Sequence, residues 1–360
     1  MTDDASKRAQ VVGLGLVGSS IAGALRARGW HVTGTDLDTA RAGRARELGA
    51  LDEVGFDEGA KIGFVATPAS SVVGVAGELL ARTEGAVTDV AGVKGAIVAA
   101  IGDPRFVGGH PMAGSEQEGP EGADPDLFVG ATWVLTPSKQ TDPAAFAAVQ
   151  SVVTSLGADV VALGADRHDE LVAVVSHVPH LTAATLMSLA GEAELDHTAL
   201  MRLAAGGFRD MTRIAAGSPA IWPDICRDNA SAIIPVLDRL IGRLGEVRRI
   251  VAETDRPALE ELLEGARGAR RNLPTRGMRP ETVTELRVVI PDRPGVLAEV
   301  TTLAGELGVN IEDIEIAHST EGPRGVLVLV VASEAAEPVT AGLRGRGYRV
   351  SHGTGAGAPL

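Results

Sequence analysis

The constraint that most narrows the folds open to this chain is a glycine loop set between two apolar runs. Residues 9–12 (Ala-Gln-Val-Val) read as a buried strand and lead directly into Gly13-Leu14-Gly15-Leu16-Val17-Gly18. Residues 19–28 continue with helical character, Gly29 ends them, and residues 31–35 form the next strand pattern, closed by Asp36. A strand, a glycine loop, a helix and a second strand ending in an acid are the order that dinucleotide binding requires. Gly13 permits the tight turn, Gly15 lets the backbone approach a pyrophosphate, and Gly18 allows helix and strand to pack closely. The first helical turn, at Leu16 and Val17, offers free N–H groups to phosphate. Asp36 either accepts hydrogen bonds from ribose hydroxyls or is a solvated turn residue. In the first reading it repels a 2′-phosphate, and although Arg41 and Arg44 soften that repulsion, NAD is favoured over NADP.

Further strands follow at regular spacing. Residues 61–66 end in Thr67-Pro68, and residues 85–90, which include Asp89, end in Ala91-Gly92-Val93-Lys94. Ligands of an open parallel sheet collect beyond the carboxyl ends of its strands, so Thr67, Pro68, Asp89 and the Gly92 turn are expected near the nicotinamide. Residues 106–114 and 131–137 are two more strand-and-loop units, and residues 160–163 are expected to close the sheet. His110 lies in the first of these units, between Gly108-Gly109 and Pro111. Two readings are open for it, a histidine that packs a turn and a base beside the hydride acceptor, for which an unperturbed pKa of about 6.5 is suitable.

From residue 166 to about 266 the pattern turns helical, with Ala, Leu and Val at three- and four-residue spacing. Asp166-Arg167-His168-Asp169-Glu170 reads as its polar start. Two runs put charge into this apolar block: Ser176-His177-Val178-Pro179-His180, and Gly206-Gly207-Phe208-Arg209-Asp210-Met211-Thr212-Arg213. Such groups seldom enter an apolar segment without a partner, and an anionic substrate would be one. His177 and His180 suit half a metal site, hydrogen-bonded core positions, or a substrate pocket, His180 being the better pocket candidate. No third ligand and no HExxH is present, so no metal is assigned. Arg213 either binds a carboxylate bidentately or pairs with Asp210. Trp222 reads most simply as a packing or subunit-interface residue.

Composition sets outer limits. The chain has 360 residues, enough for two or three domains, and a net charge of −14 that disfavours nucleic acid. Its one cysteine, Cys226, suits a reducing cytoplasm. No uninterrupted apolar run reaches bilayer length, so a soluble cytoplasmic protein is expected. The last lysine is Lys139, which weakens a reading as a β-hydroxyacid dehydrogenase, a class that relies on a lysine in its helical domain.

Residues 267–281, rich in Arg, Pro and Gly, read as a connector. Beyond them, residues 282–353 follow a strand, helix, strand, strand, helix, strand order, a ferredoxin-like fold. The expectation is thus an α/β chain with a Rossmann-type parallel sheet (1–165), an all-helical middle domain (166–266) and this C-terminal module.

The glycine loop, Gly109-His110-Pro111-Met112-Ala113-Gly114, the Ser176–His180 run and the Gly206–Arg213 run together resemble signatures of the prephenate and arogenate dehydrogenases. The resemblance covers roughly residues 8–265. It implies that His110 contacts the ring hydroxyl of prephenate or arogenate, that Arg213 binds a substrate carboxylate, and that His180 lies in the same pocket, to which His177 is assigned as a further candidate. It also implies a homodimer or higher oligomer, with Trp222 near the partner subunit's site. Many members carry a serine where this chain has Gly92. A hydrogen bond supporting His110 must then come from Ser115, Thr88 or water, or be missing. Asp292-Arg293-Pro294-Gly295-Val296, together with Asn310, resembles the ACT module, which binds amino acids, and L-tyrosine is the effector this implies. A reading from another class, a non-catalytic amino-acid sensor on a nucleotide fold, draws slight support from Gly92.

Overall fold

In the computed structural model, which describes residues 7–114, 117–194, 203–217, 219–271, 283–291, 293–318 and 324–352, the glycine loop joins strand β1 (Arg8–Val12) to helix α1 (Leu16–Arg26). Gly13 takes a φ of 92°, and a Cβ there would run into the Ala66 carbonyl. A Cβ on Gly18 would strike the Gly13 carbonyl, so helix and loop touch backbone to backbone. The alternation continues through β2 (His31–Thr35), α2 (Thr39–Glu47), β3 (Glu53–Val54), β4 (Ile62–Val65), α3 (Ala69–Arg82), β5 (Ala86–Asp89), α4 (Gly95–Ala100), β6 (Phe106–Pro111), β7 (Thr132–Thr136), α5 (Pro143–Ser155) and β8 (Asp159–Ala162).

These strands form one eight-stranded sheet in the order β3-β2-β1-β4-β5-β6-β7-β8. Every neighbouring pair is parallel except β6 with β7. All four residues of β4 and of β5 are buried, as expected of central parallel strands covered by helices on both faces. The order reverses between β2 and β4 about β1. The crevice where ligands gather therefore opens beyond Gly13, Thr67 and the turn at Gly92.

Helix α6 (Ala165–Val172), a π-turn (Ala173–His177) and α7 (Val178–Glu194) run on as one long helix. The wide turn has a local cause. Pro179 has no N–H and its ring crowds the carbonyl four residues back, that of Val175, which lies in the π-turn. The stretch Ala165–Glu192 is long and apolar enough to cross a membrane by length and composition, although charged residues interrupt it near its start. It nevertheless carries His168, Asp169 and His177 as buried polar groups, each with a hydrogen-bond partner inside the chain. Helices α8 (Gly206–Thr212), α9 (Trp222–Asp228), α10 (Ala230–Ala252) and α11 (Arg256–Arg271) follow, with 3-10 turns at Arg213–Ala216 and Pro219–Ile221. The expected connector therefore begins as helix: α11 extends through Arg271, supported by pairs such as Glu264 with Arg267. Residues 272–282 lie outside the described residues.

The chain divides into two compact units, Met1–Arg248 and Arg249–Leu360. The division falls inside α10, so nucleotide-binding and helical segments share the first unit. In the second, β9 (Val283–Pro291), α12 (Val296–Glu306), β10 (Ile311–His318), β11 (Arg324–Ala332), α13 (Ala336–Gly345) and β12 (Arg349–His352) build an antiparallel sheet ordered β10-β11-β9-β12. Leu286, Val288, Leu327, Leu329, Val300 and Leu343 pack its core. The βαββαβ order expected of residues 282–353 is the one observed.

Candidate active site

His110 stands near the end of β6, the strand that packs beside β5. The close packing requires glycine just before it, because a Cβ at Gly109 would crowd the Asp89 carbonyl and the Thr88 hydroxyl. The Gly109 N–H donates to Asp89 Oδ1 at 3.0 Å, and the Ala91 N–H donates to Oδ2 at 3.0 Å. Lys94 completes an ion pair with the same carboxylate, and both side chains are fully buried. This corrects the placement of Asp89 among cofactor-binding residues. Its carboxylate holds together the turns around His110 and is closed off from the crevice.

The ring of His110 is engaged on one side. Its Nδ1 lies 2.8 Å from Nε2 of His168, whose own Nδ1 lies 2.8 Å from Asp169 Oδ1. Asp169 also accepts the N–H of Lys94 at 2.8 Å and that of Gly95 at 2.7 Å. On the other side, a Cβ added at Gly92 would sit 3.8 Å from His110 Nε2, which marks the space that a serine there would enter. Support for His110 thus comes from His168, and not from Thr88, whose hydroxyl donates to the Asp89 carbonyl at 3.4 Å. Ser115, also expected here, lies outside the described residues.

His168 and Asp169 read in the sequence as the polar start of a helix. In the structure they share the buried face of α6 with Val172. The one legible signal is that His168 and Val172 stand four residues apart and so on one helix face.

Burial holds His110 well below the ordinary histidine range, and His168, Lys94 and His177 add to the effect. For Asp169, burial raises the carboxyl, but the hydrogen bonds from His168, Gly95 and Lys94 outweigh it and hold the group low. His177 is lowered to about 4 by burial, against the pull of Asp169. Its Nδ1 lies 3.1 Å from Nδ2 of Asn229, which also donates to the Asp169 carbonyl at 2.9 Å. The sequence reading missed Asn229 altogether.

His180 lies flat on Trp222, with ring centroids 3.7 Å apart and planes 15° from parallel, and His177 meets the same indole edge-on at 6.2 Å. Within a single chain, then, Trp222 already binds the two histidines of the Ser176–His180 run together. Gly217 follows the 3-10 turn that carries the exposed Arg213, and a Cβ there would lie 3.8 Å from His180 Cε1. The structure thus links His110, His168, Asp169, Asn229, His177, Trp222 and His180 in a continuous series that ends beside the turn of Arg213. No group of three metal-ligating side chains occurs among the described residues.

The cradle for a dinucleotide is complete in its local features. Gly15 caps α1 without a side-chain cap, and nothing lies within 4 Å of a Cβ built on it, so the helix N-terminus at Leu16 and Val17 is open to a phosphate. The Asp36 carboxylate accepts the N–H of Leu14 at 2.7 Å and that of Asp38 at 2.9 Å. A carboxylate has about four acceptor sites, so capacity for ribose hydroxyls remains. Arg41 pairs with Asp36 at 3.4 Å and Arg44 pairs with Glu121 at 3.0 Å, which leaves this end of the crevice short of free cations for a 2′-phosphate. The Thr67 hydroxyl, just past β4 and followed by the exposed Pro68, is buried without a hydrogen-bond partner. These residues fit NAD: the α1 N-terminus would hold the pyrophosphate, Asp36 the ribose, and Thr67 would face the crevice.

Sheet, glycine loop and cradle define an NAD-dependent dehydrogenase. Family models match the chain over residues 21–162 (prephenate dehydrogenase, nucleotide-binding domain), 164–265 (prephenate dehydrogenase, dimerization domain) and 284–343 (ACT domain). The prephenate dehydrogenase of Bacillus subtilis is 33% identical over 342 residues, covering 90% of this chain and 92% of that one. An arogenate dehydrogenase structure from Synechocystis is 34% identical with a TM-score of 0.64, covering 73% of this chain and 98% of that one. The Aquifex aeolicus prephenate dehydrogenase, solved with hydroxyphenyl propionate and NAD+, gives a TM-score of 0.69 at 28% identity, covering 73% and 97%. The chain belongs to the prephenate dehydrogenase family and carries a C-terminal ACT domain.

In the ACT unit, Gly295 has a φ of 91° and caps α12 without a side-chain bond, with Pro294 exposed before it and Val296 buried after it. Arg293 is tied to Glu299 at 2.9 Å, and Asn310 is exposed. Asp292 lies outside the described residues.

Proposed function

We propose that this chain oxidatively decarboxylates prephenate to 4-hydroxyphenylpyruvate, with His110 as the base. The observation that carries the reading is an imidazole held neutral by burial, with Nδ1 engaged and Nε2 facing the space at Gly92, on the lobe that holds the dinucleotide cradle. Prephenate carries a hydroxyl at C4 and a carboxylate at C1 of a cyclohexadiene ring. Bound NAD supplies the hydride acceptor. His110 Nε2 takes the hydroxyl proton as C4 becomes a carbonyl conjugated with C1. The bond from C1 to the carboxylate then breaks, carbon dioxide leaves, its electron pair completes the aromatic ring, and the proton returns to the ring oxygen. Aromatisation drives the overall step, so the task of these side chains is to orient the substrate and move one proton.

Arg213 is the proposed anchor for a substrate carboxylate, with His177, His180, Trp222 and Ser115 lining the same pocket. Arg213→Ala is expected to raise KM about tenfold or more, with kcat changed by less than about threefold, the pattern of a contact equally strong in ground and transition states. Unchanged KM would remove Arg213 from the site. The reaction is tested by NADH formation from prephenate and from arogenate with the purified protein. Identity of 34% to the Synechocystis arogenate dehydrogenase supports arogenate as the second reading, and the ratio of kcat/KM values decides between them.

Because His110 works unprotonated, a lowered pKa keeps it active as pH falls. The acid limb of kcat/KM is therefore expected below pH 6.5, set by burial and by the neighbouring His168, Lys94 and His177. A limb at or above pH 6.5 would argue against this environment acting on the base.

Residues 1–165 and 166–266 are proposed to bind cofactor and substrate, and residues 282–353 to regulate. The match to a dimerization domain and the exposed Val175, Leu189, Ile241 and Leu244 support a homodimer, and the relatives' biosynthetic character supports a cytoplasmic location. L-Tyrosine is the proposed effector, bound at Asp292, Pro294, Gly295, Val296 and Asn310. It is expected to lower the rate and raise Tm; if it does neither, the module does not sense tyrosine.

A further inference from the structure

We propose that His168 and Asp169 are positioning residues that hold His110 in the tautomer with a bare Nε2. The inference rests on His110 being the base, and it deepens that reading by saying what prepares the ring.

The argument follows the protons from Asp169 outward. An ionised carboxylate can only accept, and Asp169 already takes the N–H groups of Lys94 and Gly95. Its contact with His168 Nδ1 at 2.8 Å must therefore be a donation from that nitrogen. A neutral imidazole has one N–H, so His168 Nε2 is left as an acceptor. The nitrogen 2.8 Å away, His110 Nδ1, is then the donor. The same count applied to His110 leaves its Nε2 without a proton, on the side where Gly92 leaves room for a hydroxyl.

A second proton on His110 is disfavoured by position, because the ring is buried and lies among His168, Lys94 and His177. Asn229 braces the far end, since it donates to the Asp169 carbonyl and contacts His177. The relay spans two elements distant in sequence, β6 and α6, so the tautomer of the base depends on the helical segment docking on the sheet. Gly92 leaves the Nε2 edge of the ring open, and His168 provides the orientation from the opposite edge.

The test reads the tautomer itself. In full-length protein labelled with 15N-histidine at pH 7.5, His110, identified by its loss in His110→Asn, is expected to show a protonated Nδ1 and an unprotonated Nε2. Asp169→Asn puts an amide donor beside His168 and is expected to shift His110 towards the Nε2–H form. It should lower kcat about 10- to 100-fold while KM for prephenate changes less than about threefold. His168→Gln, which can still accept from Nδ1, should retain most of the kcat that His168→Leu loses. A protonated Nε2 in the unaltered protein overturns the relay, even if the variants fail to fold. So does wild-type kcat in both Asp169→Asn and His168→Leu. Absence of NADH formation from either substrate in the unaltered protein would sink the proposed reaction instead, and the tautomer measurement would still decide the relay.

Discussion

His110→Asn is expected to lower kcat for NADH formation by about two to four orders of magnitude, the range for loss of a general base. That loss corresponds to a barrier increase of about 3–5 kcal/mol. The substitution isolates the chemistry because an asparagine amide can still donate to His168 Nε2, which in the native chain lies 2.8 Å from His110 Nδ1. What it lacks is a basic nitrogen facing Gly92. NAD affinity and Tm should therefore stay near their native values, since the cradle of Gly13, Gly15 and Asp36 is untouched. Steady-state kinetics with prephenate and a cofactor titration check the expectation. A kcat within tenfold of native would remove His110 from the base role.

Lys94→Ala is expected to produce the largest loss of stability. Both members of the Lys94–Asp89 pair are fully buried, and burial pulls the lysine below its ordinary range while Asp89 opposes that pull. Removing one partner leaves a carboxylate with two backbone donors and no counter-ion, which costs about 3–5 kcal/mol. In a unit of this size that amounts to a Tm lower by about 6–20 °C. Lys94→Met combined with Asp89→Asn should recover at least half of it, because a neutral amide needs no cation. Scanning calorimetry of the three proteins decides the matter, and a single variant within about 1 kcal/mol of native would show that the pair is not a structural keystone. The turn also carries the Lys94 and Gly95 N–H groups that hold Asp169, so a loosened turn should slow turnover in the folded fraction as well.

The two predictions bear on residues that were legible in the sequence to different degrees. His110 is readable because the reasons for it are local: glycines before it, proline after it, and a position at a strand end. The glycine loop is readable for the same reason, since each glycine answers a demand of its own backbone. Asp89 was misread because a strand-end position says which end of the sheet a residue occupies and not which way its side chain turns. Here it turns inward, to Lys94, Ala91 and Gly109. His168 was passed over as part of a polar helix start because its partner is 58 residues away, and no local pattern distinguishes a solvated histidine from one docked on a distant ring. Asn229 escaped for the same reason, and so did the stacking of His180 on the indole of Trp222.

The amino-acid order by itself therefore determined the nucleotide-binding unit, the helical segment, the C-terminal βαββαβ module and the identity of the histidine at the strand end. Those features follow from backbone conformation and periodicity within a few residues. The tertiary structure alone decided which nitrogen of that histidine is engaged, which carboxylate is sealed inside, and which aromatic ring covers His180. Hydrogen bonds across tens of residues depend on how helices dock on the sheet, and docking is a property of packed surfaces that no short stretch of chain contains.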